Sequence, residues 1–230
     1  MKEQHIRTAM LIGEAGVEKL NNSHVAVFGV GGVGGYAVEA LARAGVGRIT
    51  LIDSDKVAES NINRQIIATH DTLGQYKTEA MRNRIASINP DCVVKCHSVF
   101  FSEENKLDFD FSSYDYVVDA IDSLSAKIEL IASAKDAGCE IISAMGAGNK
   151  LDPTAFEVSD ISKTTVCPLA RAVRISLRKR GINHLKVVYS KEQPVVAPFD
   201  GERRPPASIS FVPSVMGLIL AGEVIKDLTK

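Results

Sequence analysis

The run His24-Val25-Ala26-Val27-Phe28 leads directly into Gly29-Val30-Gly31-Gly32-Val33-Gly34. A short, nearly unbroken apolar run predicts a strand covered on both faces. The glycines let the backbone approach a phosphate closely, and a helix predicted over Tyr36–Ala44 offers unpaired N–H groups at its start. A second apolar strand, Arg48–Asp53, ends in an acid 24 residues past Gly29. A carboxylate there can accept hydrogen bonds from ribose hydroxyls. Taken alone, these features fit any nucleotide binder of this kind, a nicotinamide-dependent dehydrogenase included.

Helical spacing of apolar residues continues this pattern over Met10–Leu20 and Lys77–Ile88, the latter stopped by Asn89-Pro90 because proline disfavours helix in the residue before it. Val93-Val94, Tyr116–Ala120 and Ile141–Ala144 read as further strands, with a helix over Ser125–Ala137. Strands alternating with helices predict a sheet wound on both faces. After Gly148 the rhythm changes. Two short strands, Phe156–Ser159 and Lys186–Ser190, flank a helix over Pro168–Lys179. A loop over Gln193–Pro206 carries four of the eight prolines, and an apolar helix follows over Val215–Leu228. The predicted class is α/β: a Rossmann-like, doubly wound, mainly parallel sheet with a C-terminal α+β elaboration.

With 45% hydrophobic and 24% charged residues, the 230-residue chain has ordinary globular composition. The N-terminus lacks a signal peptide's apolar stretch, and no apolar run approaches the ~18 residues of a spanning helix. A cytoplasmic protein with no integral membrane segment is expected. Cys92, Cys96, Cys139 and Cys167 contain no C-x-x-C pair, so no zinc is expected. The net charge of −1 conceals an asymmetry. Residues 163–230 hold twelve Lys/Arg and five Asp/Glu, a net of +7; residues 1–162 hold fifteen and twenty-three, a net of −8. An acidic body with a basic end points to a polyanion docking on the C-terminal part, although chance clustering on a solvated face gives the same count.

The stretch from Asp53 through Asp55 and Asn61 to Arg64-Gln65 places two acids, an amide and an arginine within thirteen residues. Lys77 lies just beyond, and Asp119-Ala120-Ile121-Asp122 closes a later strand. Hydride transfer needs no such set. A triphosphate does: cations for its charge and a carboxylate to hold magnesium.

At these residues the sequence resembles the ThiF/MoeB/HesA adenylating enzymes, relatives of ubiquitin-activating enzymes. The resemblance runs over the whole chain. It rests on Asn63-Arg64-Gln65, Asp119–Ser123, Gly146-Ala147-Gly148 followed by Asp152-Pro153-Thr154, Ser162-Lys163-Thr164, and Ser208–Leu218 running into Ala221–Ile225. These stretches look most like the branch that acts on threonylcarbamoyladenosine in tRNA. The resemblance implies a single adenylating domain over 1–230. Residues 1–150 would bind nucleotide, and 151–230 would form a basic elaboration for substrate binding and dimerisation. It also implies ATP-dependent activation of the nucleoside's carboxylate with release of pyrophosphate. The acyl-adenylate then closes on its own ureido group, releasing AMP and leaving a cyclic, dehydrated nucleoside. Carried over by position, Gly29, Gly31, Gly32 and Gly34 would cradle ATP and Asp53 would bind ribose. Asn61, Arg64 and Lys77 would hold phosphates, and Asp122 would hold Mg2+. Asp55 and Gln65 match motif positions and join the expected ATP site. Arg7, ahead of Leu11-Ile12-Gly13, resembles the family's N-terminal arginine that reaches the partner subunit's ATP. A homodimer with Arg7 acting in trans follows, and Arg7, Arg64, Lys77 and Asp122 are the expected catalytic residues.

For the tRNA, Arg171, Arg174 and Arg178 share one face of the Pro168–Lys179 helix. With Lys163 and Arg203-Arg204 they form a candidate phosphate-tracking stripe. Cys167 stands where that branch carries an acid, and a small residue near a helix start is the expectation there. Sulfur-relay proteins are candidate partners. Two other readings stay open: an activator of a ubiquitin-like sulfur carrier, and a nucleotide-binding scaffold without turnover.

Overall fold

The computed structural model describes residues 2–195 and 206–230. Its strands are β1 (His24–Phe28), β2 (Arg48–Ile52), β3 (Val93–His97), β4 (Tyr116–Asp119), β5 (Glu140–Ala144), β6 (Phe156–Asp160) and β7 (Lys186–Ser190). They form one sheet in the order β3-β2-β1-β4-β5-β7-β6. Every pairing is parallel except that of β6 with β7. The chain winds outward from β1 to β3, then starts again at β4 and winds the other way. The order therefore reverses between β1 and β4, and a crevice opens beyond their C-terminal ends, where such sheets bind ligands. The C-terminal part, read from the sequence as an elaboration, continues this sheet: β7 adds to β5, and β6 closes the edge.

The helices are α1 (Ile6–Asn22), α2 (Gly34–Ala44), α3 (Lys77–Ile88), α4 (Leu124–Asp136), α5 (Pro168–Lys179) and α6 (Phe211–Leu228). On one face of the sheet Val38, Leu41, Met81, Met216 and Leu220 bury against Val25 and Val27 of β1. On the other, Leu130, Ile131, Val173 and Leu177 pack with an aromatic group built from Phe28, Phe101, Phe109 and Phe111. The alternating residues of β1 thus supply both cores, which is why its sequence reads as an unbroken apolar run.

Two helices differ from expectation. α1 starts at Ile6 and kinks at Gly13, whose φ of +75° only glycine adopts without strain. The turn ahead of the kink leaves Met10 and Leu11 exposed. α6 starts four residues before Val215, because Pro213 sits in its first turn, where proline is tolerated. Its apolar length comes from packing on α2, so closely that a Cβ on Gly217 would lie 2.2 Å from the Val33 carbonyl oxygen. No helix among the described residues is long and apolar enough to cross a membrane.

Candidate active site

A cleft of about 390 Å³ occupies the crevice at the β1/β4 switch. Gly29, Gly31 and Gly32 form its floor. Gly29 turns the chain at φ +89° and comes so near β4 that a Cβ would sit 2.6 Å from the Ala120 carbonyl oxygen. Gly31 is different: a Cβ there would meet only the Gln65 amide nitrogen at 3.8 Å, so the space above it is open to a ligand. Gly34 does not line the cleft. It is buried in the first turn of α2, where a Cβ would collide with the Gly29 carbonyl oxygen at 1.8 Å. Its role is to let the helix start directly behind the loop, aiming its first amides at the cleft.

The segment between β2 and α3 supplies the polar wall. Asp53 accepts from the Val30 N–H at 2.7 Å and from the Asp55 N–H at 2.8 Å, so it shapes the glycine loop as well as facing the cleft. Burial pushes its carboxyl above the ordinary value, against the opposing pull of the Lys77 ammonium. Lys77, the first residue of α3, is buried and held by Asp55 at 2.7 Å. Its ammonium has three donors, so most of its capacity remains for a ligand. Asn61 uses its side-chain oxygen on the Ala58 N–H at 3.1 Å, leaving its NH₂ group for the cleft. Arg64 donates through Nη1 to the Ser60 carbonyl at 3.0 Å and to Asn63 at 2.8 Å, while its other nitrogens stay available. Gln65 is buried with an unpartnered Oε1, a polar atom that asks for a donor.

Across the floor, Asp122 is exposed on the loop after β4. Two further walls escaped the sequence reading. Val99, Phe100 and Phe101 line the end nearest β2 and β3. Ala147, Gly148, Pro206, Ser208 and Pro213 line the end nearest β5. Pro206–Ser208 is fixed by Asn149, which exchanges two hydrogen bonds with Ala207, at 2.7 Å through its own N–H and 2.8 Å through its side-chain oxygen. Asn63 adds a third tie to the Ser208 carbonyl at 3.1 Å. Apolar patches at the two ends, with phosphate-sized polar space between, suit a nucleotide at one end and an acyl substrate at the other.

The family model described as "ThiF family" matches residues 4–230. The chain belongs to the ThiF family. A Bacillus subtilis relative named tRNA threonylcarbamoyladenosine dehydratase is 46% identical, the match covering 100% of this chain and 96% of the relative. The solved E. coli tRNA N6-threonylcarbamoyladenosine dehydratase in complex with ATP matches with a TM-score of 0.90 at 35% identity, covering 98% of this chain and 93% of that one. Its complex with AMP matches at 0.89 and 36%, covering 96% and 92%.

Several expected residues of this ThiF-family chain lie outside the cleft. Arg7 is exposed on α1, beside Met10 and Leu11. On α5, Arg171 and Arg178 are exposed, as is Lys163 on the loop before it. Arg174 is engaged instead: its Nη1 donates to the Thr164 hydroxyl at 2.6 Å and to the Thr164 carbonyl at 3.0 Å, bracing that loop. Arg203 and Arg204 lie outside the described residues. Much of the remaining basic excess is tied up in ion pairs, Arg180 with Glu129 and Lys186 with Glu223 and Asp227. Cys167 is buried at the N-cap of α5, its Sγ accepting from the Ala170 N–H at 3.5 Å, which is the part a capping acid plays.

Proposed function

We propose that this chain catalyses the ATP-dependent dehydration of threonylcarbamoyladenosine in tRNA. The observation that carries the reading is the cleft itself. Asn61, Arg64, Lys77 and Asp122 line the same cleft as Gly31, in a chain whose full length matches relatives that bear this activity in their names. Adenine lies against Val99–Phe101, ribose reaches Asp53, and the phosphates cross the glycine loop towards Arg64 and Lys77. The acyl substrate enters from the β5 end, between Gly148 and Ser208.

A carboxylate oxygen of the modified nucleoside attacks the α-phosphorus, and the bond to the bridging oxygen breaks as pyrophosphate leaves. Negative charge grows on the non-bridging oxygens and on the leaving group. Arg64 and Lys77 are already restrained at the cleft by Ser60, Asn63 and Asp55, so little reorganisation is spent in the transition state. Magnesium fits the donor set here, because it is commonly held by one or two carboxylates plus substrate phosphates, and Asp122, exposed at the cleft, would be the carboxylate that holds it. When bound, it neutralises phosphate charge. The activated acyl group then closes on the substrate's own ureido group, and AMP departs. That nucleophile is intramolecular and of high effective concentration, so the reaction needs no covalent enzyme intermediate and Cys167 can remain a cap.

The exposed Arg7 with its apolar neighbours supports a homodimer in which Arg7 serves the partner's phosphates. Mixing inactive Arg7→Ala subunits with inactive Arg64→Ala subunits will then restore part of the activity; verified subunit exchange without recovery removes the trans arginine. Lys163, Arg171 and Arg178 hold tRNA phosphates while the modified base enters the cleft.

ATP–pyrophosphate exchange tests the whole reading. Exchange will depend on tRNA carrying threonylcarbamoyladenosine and will not occur with the same tRNA lacking it. Exchange driven by a ubiquitin-like carrier protein, with none driven by tRNA, would assign the cleft to carrier activation instead.

A further inference from the structure

Beneath the cleft lies an ion pair that none of these roles uses. Asp119, the last residue of β4, and Lys127, on the first turn of α4, are both 0% exposed. Lys127 Nζ donates to Asp119 Oδ2 at 2.7 Å, to the Ala144 carbonyl at 3.0 Å and to Ser143 Oγ at 3.3 Å. Ser143 Oγ donates in turn to Asp119 Oδ2. The other carboxylate oxygen, Oδ1, accepts from the Ile121 N–H at 3.1 Å. All three ammonium donors and both carboxylate oxygens are therefore spent.

Stability is a poor reason for such a pair. Desolvating two charges costs several kcal/mol each, and well-packed apolar replacements of a buried pair are often neutral or stabilising. Its position gives a better reason. Asp119 immediately precedes Ala120–Asp122, and Ser143 and Ala144 precede the 145–148 loop; both loops border the cleft. The bond from Ile121 to Asp119 closes a tight turn one residue ahead of Asp122. That turn also abuts the glycine loop, since no side chain fits between Gly29 and the Ala120 carbonyl. The pair thus joins the ends of β4 and β5 to the start of α4, directly behind the loop that carries Asp122.

We infer that the buried Asp119–Lys127 pair is a positioning device that fixes Asp122 for the adenylation step. The inference rests on the role proposed above for Asp122. Neither member lines the cleft, so both act through the loop rather than on the substrate.

The test is a thermodynamic cycle on the full chain, read by pyrophosphate exchange with tRNA carrying the modified nucleoside. The paired variant Asp119→Asn/Lys127→Met removes both charges together, so neither is left buried alone. It will unfold near the parent temperature and lose exchange by ~10–100-fold, with the loss in kcat and the KM for ATP within about threefold of the parent. In an Asp122→Asn background the same paired change will cost less than about threefold, because residues acting through one another are not additive. Independent losses that multiply, or a folded paired variant with near-parent exchange, would overturn the inference. Unchanged exchange in Asp122→Asn alone would instead remove the role of Asp122, and the inference with it. If the paired variant does not fold, Ser143→Ala replaces it under the same criterion of non-additivity, since it keeps both charges and removes one Nζ partner.

Discussion

Lys77 and Arg64 stand in the cleft already restrained, one by Asp55 at 2.7 Å and the other by Ser60 and Asn63 at 3.0 and 2.8 Å. Arg171 and Arg178 on α5 stand in solvent, without an ion pair among the described residues. The same chemical groups are thus built for two purposes. A restrained cation in a partly desolvated cleft has met its ordering cost before the substrate binds, and its effect concentrates in the transition state. An unrestrained surface cation attracts a polyanion over a distance and is screened by salt. Charge counting along the chain cannot separate these, because it weighs Arg174, which braces a loop, equally with Arg171, which does not.

The largest effect is expected from removing a restrained cation. Arg64→Ala will lower pyrophosphate exchange by ~10²–10³-fold with little change in unfolding temperature, since the side chain lies in the cleft and not in the core. Near-normal exchange in the folded variant would dissolve the contrast between the two regions. A sharper variant keeps the cation and frees it. Asp55→Asn leaves Lys77 present but weakens its anchor, and a loss of about 10-fold in kcat is expected, smaller than that of losing a cation outright. No loss would mean that the restraint itself contributes nothing.

On the stripe, Arg171→Ala/Arg178→Ala will weaken tRNA binding and reduce the salt dependence of log K by ~0.7–0.9 for each phosphate no longer neutralised, with ATP affinity unchanged. An unchanged salt slope would mean that this face does not meet the tRNA. The smallest effect belongs to the restrained cations of the basic end. Burial raises the Asp227 carboxyl, but hydrogen bonds from Lys186, Lys230 and Tyr116 outweigh it and hold the group at about 2. Because this lies below the ~3.9 of an unfolded aspartate, its stabilisation is complete above about pH 4 and is lost as pH falls towards 2. Asp227→Asn will therefore melt a few degrees below the parent near neutrality, and the gap will close over that acidic window. A gap independent of pH would remove the ion pair as its cause.

The sheet was legible because its evidence is local. Strands β1, β2, β4 and β5 are apolar runs bounded by turns, and their parallel, doubly wound arrangement follows from strands alternating with helices. The polar wall was legible for a similar reason: Asp53, Asn61, Arg64 and Lys77 fall within 25 residues that one loop and one helix start bring together. Some of what stayed hidden depends on partners far apart in the chain. Pro206 and Ser208 reach the cleft only because Asn149 and Asn63 hold them there. Asp119 was legible as part of the motif that closes β4, but its pairing with Lys127 was not, because Ser143 and Ala144 of β5 complete the buried set. Gly34 carries the phosphate-loop motif, yet its lack of a side chain serves packing against Gly29.

The chemistry of the nucleoside decides the proposed function most directly. The purified protein should be incubated with ATP, magnesium and tRNA bearing threonylcarbamoyladenosine, and the digested nucleosides read by mass spectrometry alongside the released nucleotides. The expected result is a nucleoside lighter by one water, with AMP and pyrophosphate formed in step with it. An unaltered nucleoside, with the protein folded and binding ATP, would contradict the proposed function.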